Sequence, residues 1–194
     1  MQQLPVGSGW IEVVAGSMFS GKTEELIRRI TRARIAKQKA HIFKPLIDTR
    51  YDSERVVSHN GQSIPSTVIS EGAEIFHHLD EDVQVVGIDE AQFLDQDTVR
   101  VARSLAAEGR RVIVAGLDQD FRAEPFGTMM QMMVEAEYVT KVLAICVQCG
   151  NPAHRNQRLS EATGRVVLGG AEEYEARCRK CFDPVRAIEQ PLFF

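Results

Sequence analysis

Short apolar runs alternate with helix-spaced segments along the first 145 residues. Trp10-Ile11-Glu12-Val13-Val14-Ala15 is apolar and β-branched, which reads as a strand. From Glu24 towards Lys37, Leu26, Ile27, Ile30 and Ile35 recur at near-helical spacing. His41 to Lys44 reads as a second strand, ended by Pro45. Ser66 to Ile69 is a short strand and Ala73 to Leu79 a short helix, whose His77 and His78 read as surface residues. Val83 to Ile88 is a buried strand, and Asp95 to Glu108 a helix with Asp95 as N-cap and Gly109 as its stop. Arg111 to Leu117 is a central strand, Thr128 to Val134 a methionine-rich helix, and Tyr138 to Ile145 a further strand. Strands alternating with helices predict an α/β domain: a parallel sheet with right-handed crossovers and helices on both faces. Asp48 to Ser63 is polar and aperiodic, and a loop of that length reads as functional or mobile.

Composition narrows the class. Hydrophobic residues make up 44% and charged residues 26%, enough apolar material for a proper core. At 194 residues the chain suits one sizeable domain, or a main domain with a small appendage. The formal net charge of −4 and the absence of a long basic run disfavour nucleic acid as a partner. Arg28, Arg29, Arg32 and Arg34 read as a solvated or inter-subunit face of the first helix. Met1 to Ser8 has neither the basic start nor the apolar core of a signal peptide, and no apolar run approaches membrane-spanning length. A cytoplasmic location is expected, where cysteines read as metal ligands or reduced thiols before disulfides.

Gly16-Ser17-Met18-Phe19-Ser20-Gly21-Lys22-Thr23 fits the G-x-x-x-x-G-K-[ST] phosphate-binding loop, and it stands between a strand and a helix as that motif requires. Its backbone N–H groups and the helix N-terminus suit an anion. Lys22 suits β- and γ-phosphates, and the Thr23 hydroxyl suits Mg²⁺. Asp89-Glu90 follows an apolar strand downstream of that loop, where an Mg²⁺-linked acid belongs. The loop Asp118 to Gly127 follows another strand and falls at the same carboxyl end, where open α/β sheets bind ligands.

Cys146-x-x-Cys149 and Cys178-x-x-Cys181 form two matched pairs. That spacing reads as a structural Zn²⁺ site of four thiolates, with Gln148-Cys149-Gly150 as a tight knuckle and His154 as a weaker competing ligand. The segment between the pairs would become a closed loop able to present main-chain groups to a flat ligand. The expected division is a nucleotide-binding domain over residues 1–145 and a zinc module with tail over residues 146–194. Residues 1–9 read as a loose tail, and Pro184 to Phe194 has no readable assignment.

Taken together, the phosphate loop, Asp48-Thr49-Arg50-Tyr51, Ile88-Asp89-Glu90-Ala91-Gln92-Phe93, Leu117-Asp118, Phe121, Pro125-Phe126-Gly127, the cysteine pairs and Gly169-Gly170 with Tyr174 resemble thymidine kinases of the zinc-containing type II class, over roughly residues 8–182. The resemblance implies transfer of the γ-phosphate of ATP to the 5′-hydroxyl of thymidine, and of deoxyuridine, with Mg²⁺. It implies Glu90 as general base, and Asp48, Thr49, Arg50, Asp89, Ala91 and Gln92 beside the phosphate loop in the nucleotide site. It implies an apolar nucleoside wall of Met18, Phe93, Leu117, Phe121 and Phe126, closed by Tyr174. It implies a lasso, Arg165, Val166, Val167, Leu168 and Gly169, whose main chain bonds the base. The chain departs from the family where many members carry Thr: here Asn156 opens Asn156-Gln157-Arg158-Leu159, which leaves the base contact on that side open. The class is commonly tetrameric, is inhibited by thymidine triphosphate and serves DNA precursor salvage. A regulatory P-loop ATPase with a partner-binding zinc module is the alternative from another class; it has no need of an aromatic pocket with a carboxylate at its floor.

Overall fold

The computed structural model describes residues 8–47, 55–57, 63–160, 167 and 169–183. Strand β1 (Trp10–Gly16) leads through the glycine loop into helix α1 (Lys22–Ile35), then into β2 (Ala40–Pro45). Two short strands follow, β3 (Arg55–Val57) and β4 (Ser63–Pro65), which pair antiparallel. After β5 (Thr67–Ile69) come a 3₁₀ turn and the single-turn helix α2 (Ile75–His78). Then follow β6 (Val85–Ile88), α3 (Asp97–Ala107), β7 (Arg111–Leu117), α4 (Gly127–Glu135) and β8 (Tyr138–Val142). The cysteine region adds β9 (Ala144–Ile145), β10 (Pro152–Ala153), β11 (Arg155–Arg158) and β12 (Tyr174–Arg177).

The central sheet has six strands in the order β5-β2-β6-β7-β1-β8, all parallel. Its two faces carry separate apolar clusters. Val14, Ile42, Val85, Ile113 and Ala115 meet Leu26, Ile27, Ile30 and Ala33 of α1 on one face. Val13, Phe43, Val86, Ile88, Val112 and Val114 meet Leu105 of α3, Met129 and Met132 of α4, and Ile75 on the other. Burying each large aliphatic side chain contributes about 1.5–3 kcal/mol, so the two faces together carry most of the stability. The expected α/β architecture with helices on both faces is what the chain forms.

Several local expectations are corrected. Ile35, assigned to the apolar stripe of α1, is exposed; the stripe ends at Ala33. Asp95 does not cap α3 with its side chain. Its carboxylate accepts from the Gly72 N–H at 3.0 Å and the Thr98 hydroxyl at 3.1 Å, tying α3 to the 3₁₀ turn. Of Met129, Met130, Met132 and Met133, expected to fill core or subunit contacts, Met129 and Met132 are buried in the core, Met133 packs against it and Met130 is exposed. The strand expected over Tyr138–Ile145 breaks at Leu143, because Ala144 and Ile145 pair with β10 instead of with the main sheet. Within the stretch expected as a loop, Arg55–Val57 is strand; residues 48–54 and 58–62 lie outside the described residues, as do residues 1–7 and the tail from Pro184.

At the amino end of the sheet, Glu12 is buried and ties β1 to its surroundings. Its carboxylate accepts from Arg29 at 2.8 Å, Arg111 at 2.6 Å and the Trp10 indole at 2.7 Å. Burial alone would push this carboxyl up. The hydrogen bonds from Arg111 and Trp10, with the charges of Arg111 and Arg29, outweigh it and hold Glu12 below the usual range.

Candidate active site and cysteine cluster

The phosphate loop joins β1 to α1. Gly21 has φ +83 and Phe19 φ +61, left-handed conformations that let the chain curl tightly, as a phosphate-binding loop requires. Ser20 Oγ donates to the Ser17 carbonyl at 2.7 Å and holds the curl. The Lys22 ammonium folds back over the loop and donates to the same carbonyl at 2.8 Å, which places its charge on the cradle. Such a cradle can hold phosphate oxygens. Ser17 is fully buried and its hydroxyl donates to the Ala153 carbonyl at 3.3 Å, so the loop touches the cysteine region directly.

Opposite lies the end of β6. Asp89 is buried, with its N–H bonded to the Phe43 carbonyl at 2.9 Å. Its Oδ2 accepts from the Thr23 hydroxyl at 3.2 Å. Two hard oxygen donors from separate elements thus sit side by side, the donor type and spacing that Mg²⁺ takes. Glu90 follows with φ +48 and ψ +38, a left-handed conformation rare for a side chain of this size. Its N–H donates to Asp89 Oδ1 at 3.0 Å. The Gln92 side-chain amide donates to Glu90 Oε2, and Gln92 Oε1 accepts from the Leu117 N–H at 2.9 Å. Gln92 therefore bridges the end of β7 to the Glu90 carboxylate. Ala91 is buried in the main core beneath them.

The apolar residues expected in one wall fall into two groups. Phe121 and Tyr174 are buried together, with Met18, Phe19, Val167 and Phe182 packed against them. Phe93 and Phe126 meet edge to face, with centroids 6.5 Å apart and planes at 73°. Phe126 belongs to the main core cluster, and Leu117 packs against that same core. Val167 and Gly169 are described in the expected lasso; Arg165, Val166 and Leu168 lie outside the described residues, as do Asp48, Thr49 and Arg50.

Asn156 bonds two main-chain groups with its side-chain amide. Its Oδ1 accepts from the Met18 N–H at 2.8 Å and its Nδ2 donates to the Gln119 carbonyl at 2.9 Å. It clamps β11 to the phosphate loop and to the segment after β7. Reading the residues one by one did not foresee this: Arg155-Asn156-Gln157-Arg158 is polar throughout, yet its last three residues are buried. No periodicity marks such a strand, because its partners come from three distant segments.

The four cysteines converge as the spacing predicts. Their sulfurs all lie within 4.8 Å of one another, and Cys149 and Cys178 stand 3.6 Å apart. A tetrahedral ion with bonds of about 2.3 Å sets sulfurs about 3.8 Å apart, so the set fits Zn²⁺. Gly150, at φ +74, turns the knuckle and donates to the Cys146 carbonyl at 2.9 Å. Asn151 Nδ2 points at the Cys149 sulfur at 3.3 Å. Burial alone would raise the Cys146 thiol, but N–H groups of Cys178, Gln148 and Cys149 and the Cys149 side chain bring it down to about 6, which favours the thiolate a metal needs. Among the described residues His154 is not part of this cluster.

A second, polar cleft of about 350 Å³ opens at the amino ends of the strands, against Trp10, Gln84, Arg110 and Arg111. It lies at the opposite end of the sheet from the loop and Glu90. Ligands of open parallel sheets bind at the carboxyl ends, so the cradle end is the candidate site. Among the described residues no helix is long and apolar enough to cross a membrane.

Comparison with known proteins agrees with this geometry. The sequence model of the family described as thymidine kinase matches residues 9–182. A curated thymidine kinase from Rhodothermus sp. (strain ITI 518) is 55% identical over 178 residues, covering 92% of this chain and 83% of that one. With the phosphate cradle, the paired carboxylates after β6 and the four-cysteine cluster all inside the matched span, the chain belongs to the thymidine kinase family.

Proposed function

We propose that the protein transfers the γ-phosphate of ATP to the 5′-hydroxyl of thymidine, giving thymidine monophosphate and ADP. The observation that carries this reading is the juxtaposition of a phosphate cradle, through Thr23 and Asp89, with the Glu90 carboxylate held by Gln92. Residues 1–145 would hold ATP and the catalytic groups, and residues 146–194 the nucleoside side, with deoxyuridine as a second substrate. The cradle amides and Lys22 hold the triphosphate and neutralise its charge. Asp48, Thr49 and Arg50 join them by family resemblance.

Glu90 is the general base. It accepts the proton of the 5′-hydroxyl as that oxygen bonds to the γ-phosphorus and the bond to the β,γ-bridging oxygen breaks. Thr23 and Asp89 would hold Mg²⁺, which would supply positive charge to the transferring phosphate when bound. Cys146, Cys149, Cys178 and Cys181 would hold Zn²⁺ structurally, since four sulfurs leave no open position. Phe121 and Tyr174, with Met18, form the nearer apolar wall for the nucleoside, and Phe93, Leu117 and Phe126 the farther one. Val167 and Gly169, with Arg165, Val166 and Leu168, carry the main-chain contact to the base. A cytoplasmic homotetramer without nucleic-acid or membrane partners is the form family resemblance supports.

Measuring ATP consumption with and without thymidine, with identification of the product, tests the reading. ADP and thymidine monophosphate should form in equal amounts, and only when thymidine is present. Hydrolysis independent of thymidine, with no nucleotide product, would replace the kinase by a P-loop switch.

A further inference from the structure

The nucleoside side of the site is built on a buried cation. Arg158 ends β11 and is only 2% exposed. A buried guanidinium is costly unless its charge and N–H groups are matched, so its surroundings identify its task. Its central carbon lies 3.6 Å from the centroid of the Phe121 ring and 5.4 Å from that of Tyr174. Its Nη2 donates to the Tyr174 hydroxyl at 2.8 Å. That hydroxyl in turn donates to the Val167 carbonyl at 3.0 Å. Arg158 and Tyr174 are direct cross-strand partners in the β11–β12 register, so strand pairing itself sets the contact.

The direction of this relay follows from the donor inventory. Arginine donates and cannot accept. A phenol carries one proton, so a hydroxyl that accepts from Arg158 is left to aim its own proton at Val167. The flat guanidinium also offers the Phe121 face a stacking partner, which a lysine ammonium does not.

We infer that Arg158 is a positioning residue of the nucleoside pocket. It stacks on Phe121, orients the Tyr174 hydroxyl and through it holds the main chain at Val167, and so sets nucleoside affinity more than phosphate transfer. The inference rests on the nucleoside kinase reading of the site.

Steady-state kinetics of the zinc-loaded full chain test it, with Arg158→Gln, Arg158→Lys, Tyr174→Phe and the Arg158→Gln/Tyr174→Phe double variant. Loss of a charge-assisted hydrogen bond and its stacking should raise the thymidine KM about 10- to 100-fold in Arg158→Gln. The Lys variant should remain closer to Gln than to wild type. Both kcat and the KM for ATP should move less than about threefold. Tyr174→Phe keeps the ring and should raise the thymidine KM at least about threefold alone, yet add nothing in the Arg158→Gln background.

An unchanged thymidine KM in Arg158→Gln, equal rises for both substrates, or additive effects in the double variant would overturn the inference. If Arg158→Gln does not fold by circular dichroism, Tyr174→Phe decides alone, and an unchanged thymidine KM there overturns it. Absence of thymidine-dependent turnover in the wild type overturns the kinase reading and the inference with it. Normal wild-type turnover with an unaffected variant overturns the inference only.

Discussion

Glu90 sits in a left-handed conformation that costs a non-glycine residue on the order of 1–3 kcal/mol, offset by the contacts around it. Those contacts are its own N–H on Asp89 and the Gln92 amide on its carboxylate. Gln92 is in turn fixed by the Leu117 N–H at the end of β7. As the proposed base, a carboxylate held in this way would be preorganised, so its acceptor oxygen need not be reoriented during the reaction. Replacing Gln92 by Leu keeps the volume and removes the bridge. We expect kcat to fall about tenfold while the KM values move less than threefold, read by steady-state kinetics. An unchanged kcat would take Gln92 out of the positioning role. The positions of Gly16–Thr23 and of Asp89-Glu90 were legible in the sequence because each depends on its own short stretch of chain. The partners of Asn156 and Arg158 were not, because those side chains contact Met18, Gln119, Phe121 and Tyr174, which only the fold brings near.

At the scale of elements, the long apolar strands and α1 were readable because each buries a face with its own period. The short ones were not. Arg55–Val57 and Ser63–Pro65 are three-residue strands, and three residues are too few to show alternation. β11 and β12 pair antiparallel, with Asn156 bonded to Met18 and Gln119, Arg158 to Tyr174, and Ala176 packed with Cys146 and Cys178. Val147 N–H bonds the Ala176 carbonyl at 3.2 Å, so the first cysteine knuckle is tied to β12 beside Tyr174. Removing the Zn²⁺ proposed for the four cysteines with a chelator should therefore loosen this module before the main sheet. Calorimetry should show thymidine affinity falling about tenfold or more while ATP affinity falls less than threefold. Full thymidine affinity in a metal-free protein would contradict a structural role for the cluster.

Across the whole molecule, six parallel strands gather the chemistry at one end. β7 lies between β1 and β6, and its last residues hold Gln92 from the middle. The loop after β1 supplies the cradle and the turn after β6 supplies Asp89 and Glu90. The cysteine region approaches from the side through Ser17–Ala153 and Met18–Asn156. On the proposed function, the sheet would supply the phosphate side of the site and the cysteine region the nucleoside side. The convergence of the four cysteines was legible from their spacing, whereas the contacts Ser17–Ala153 and Met18–Asn156 were not. On the proposed mechanism, Glu90 takes the proton from a nucleoside hydroxyl beside the cradle. Single-turnover transfer from γ-labelled ATP to thymidine by Glu90→Gln, with both dissociation constants measured, tests it most directly. Transfer should slow by about 10²- to 10⁴-fold with both dissociation constants within about threefold of wild type; transfer at a near wild-type rate would contradict it.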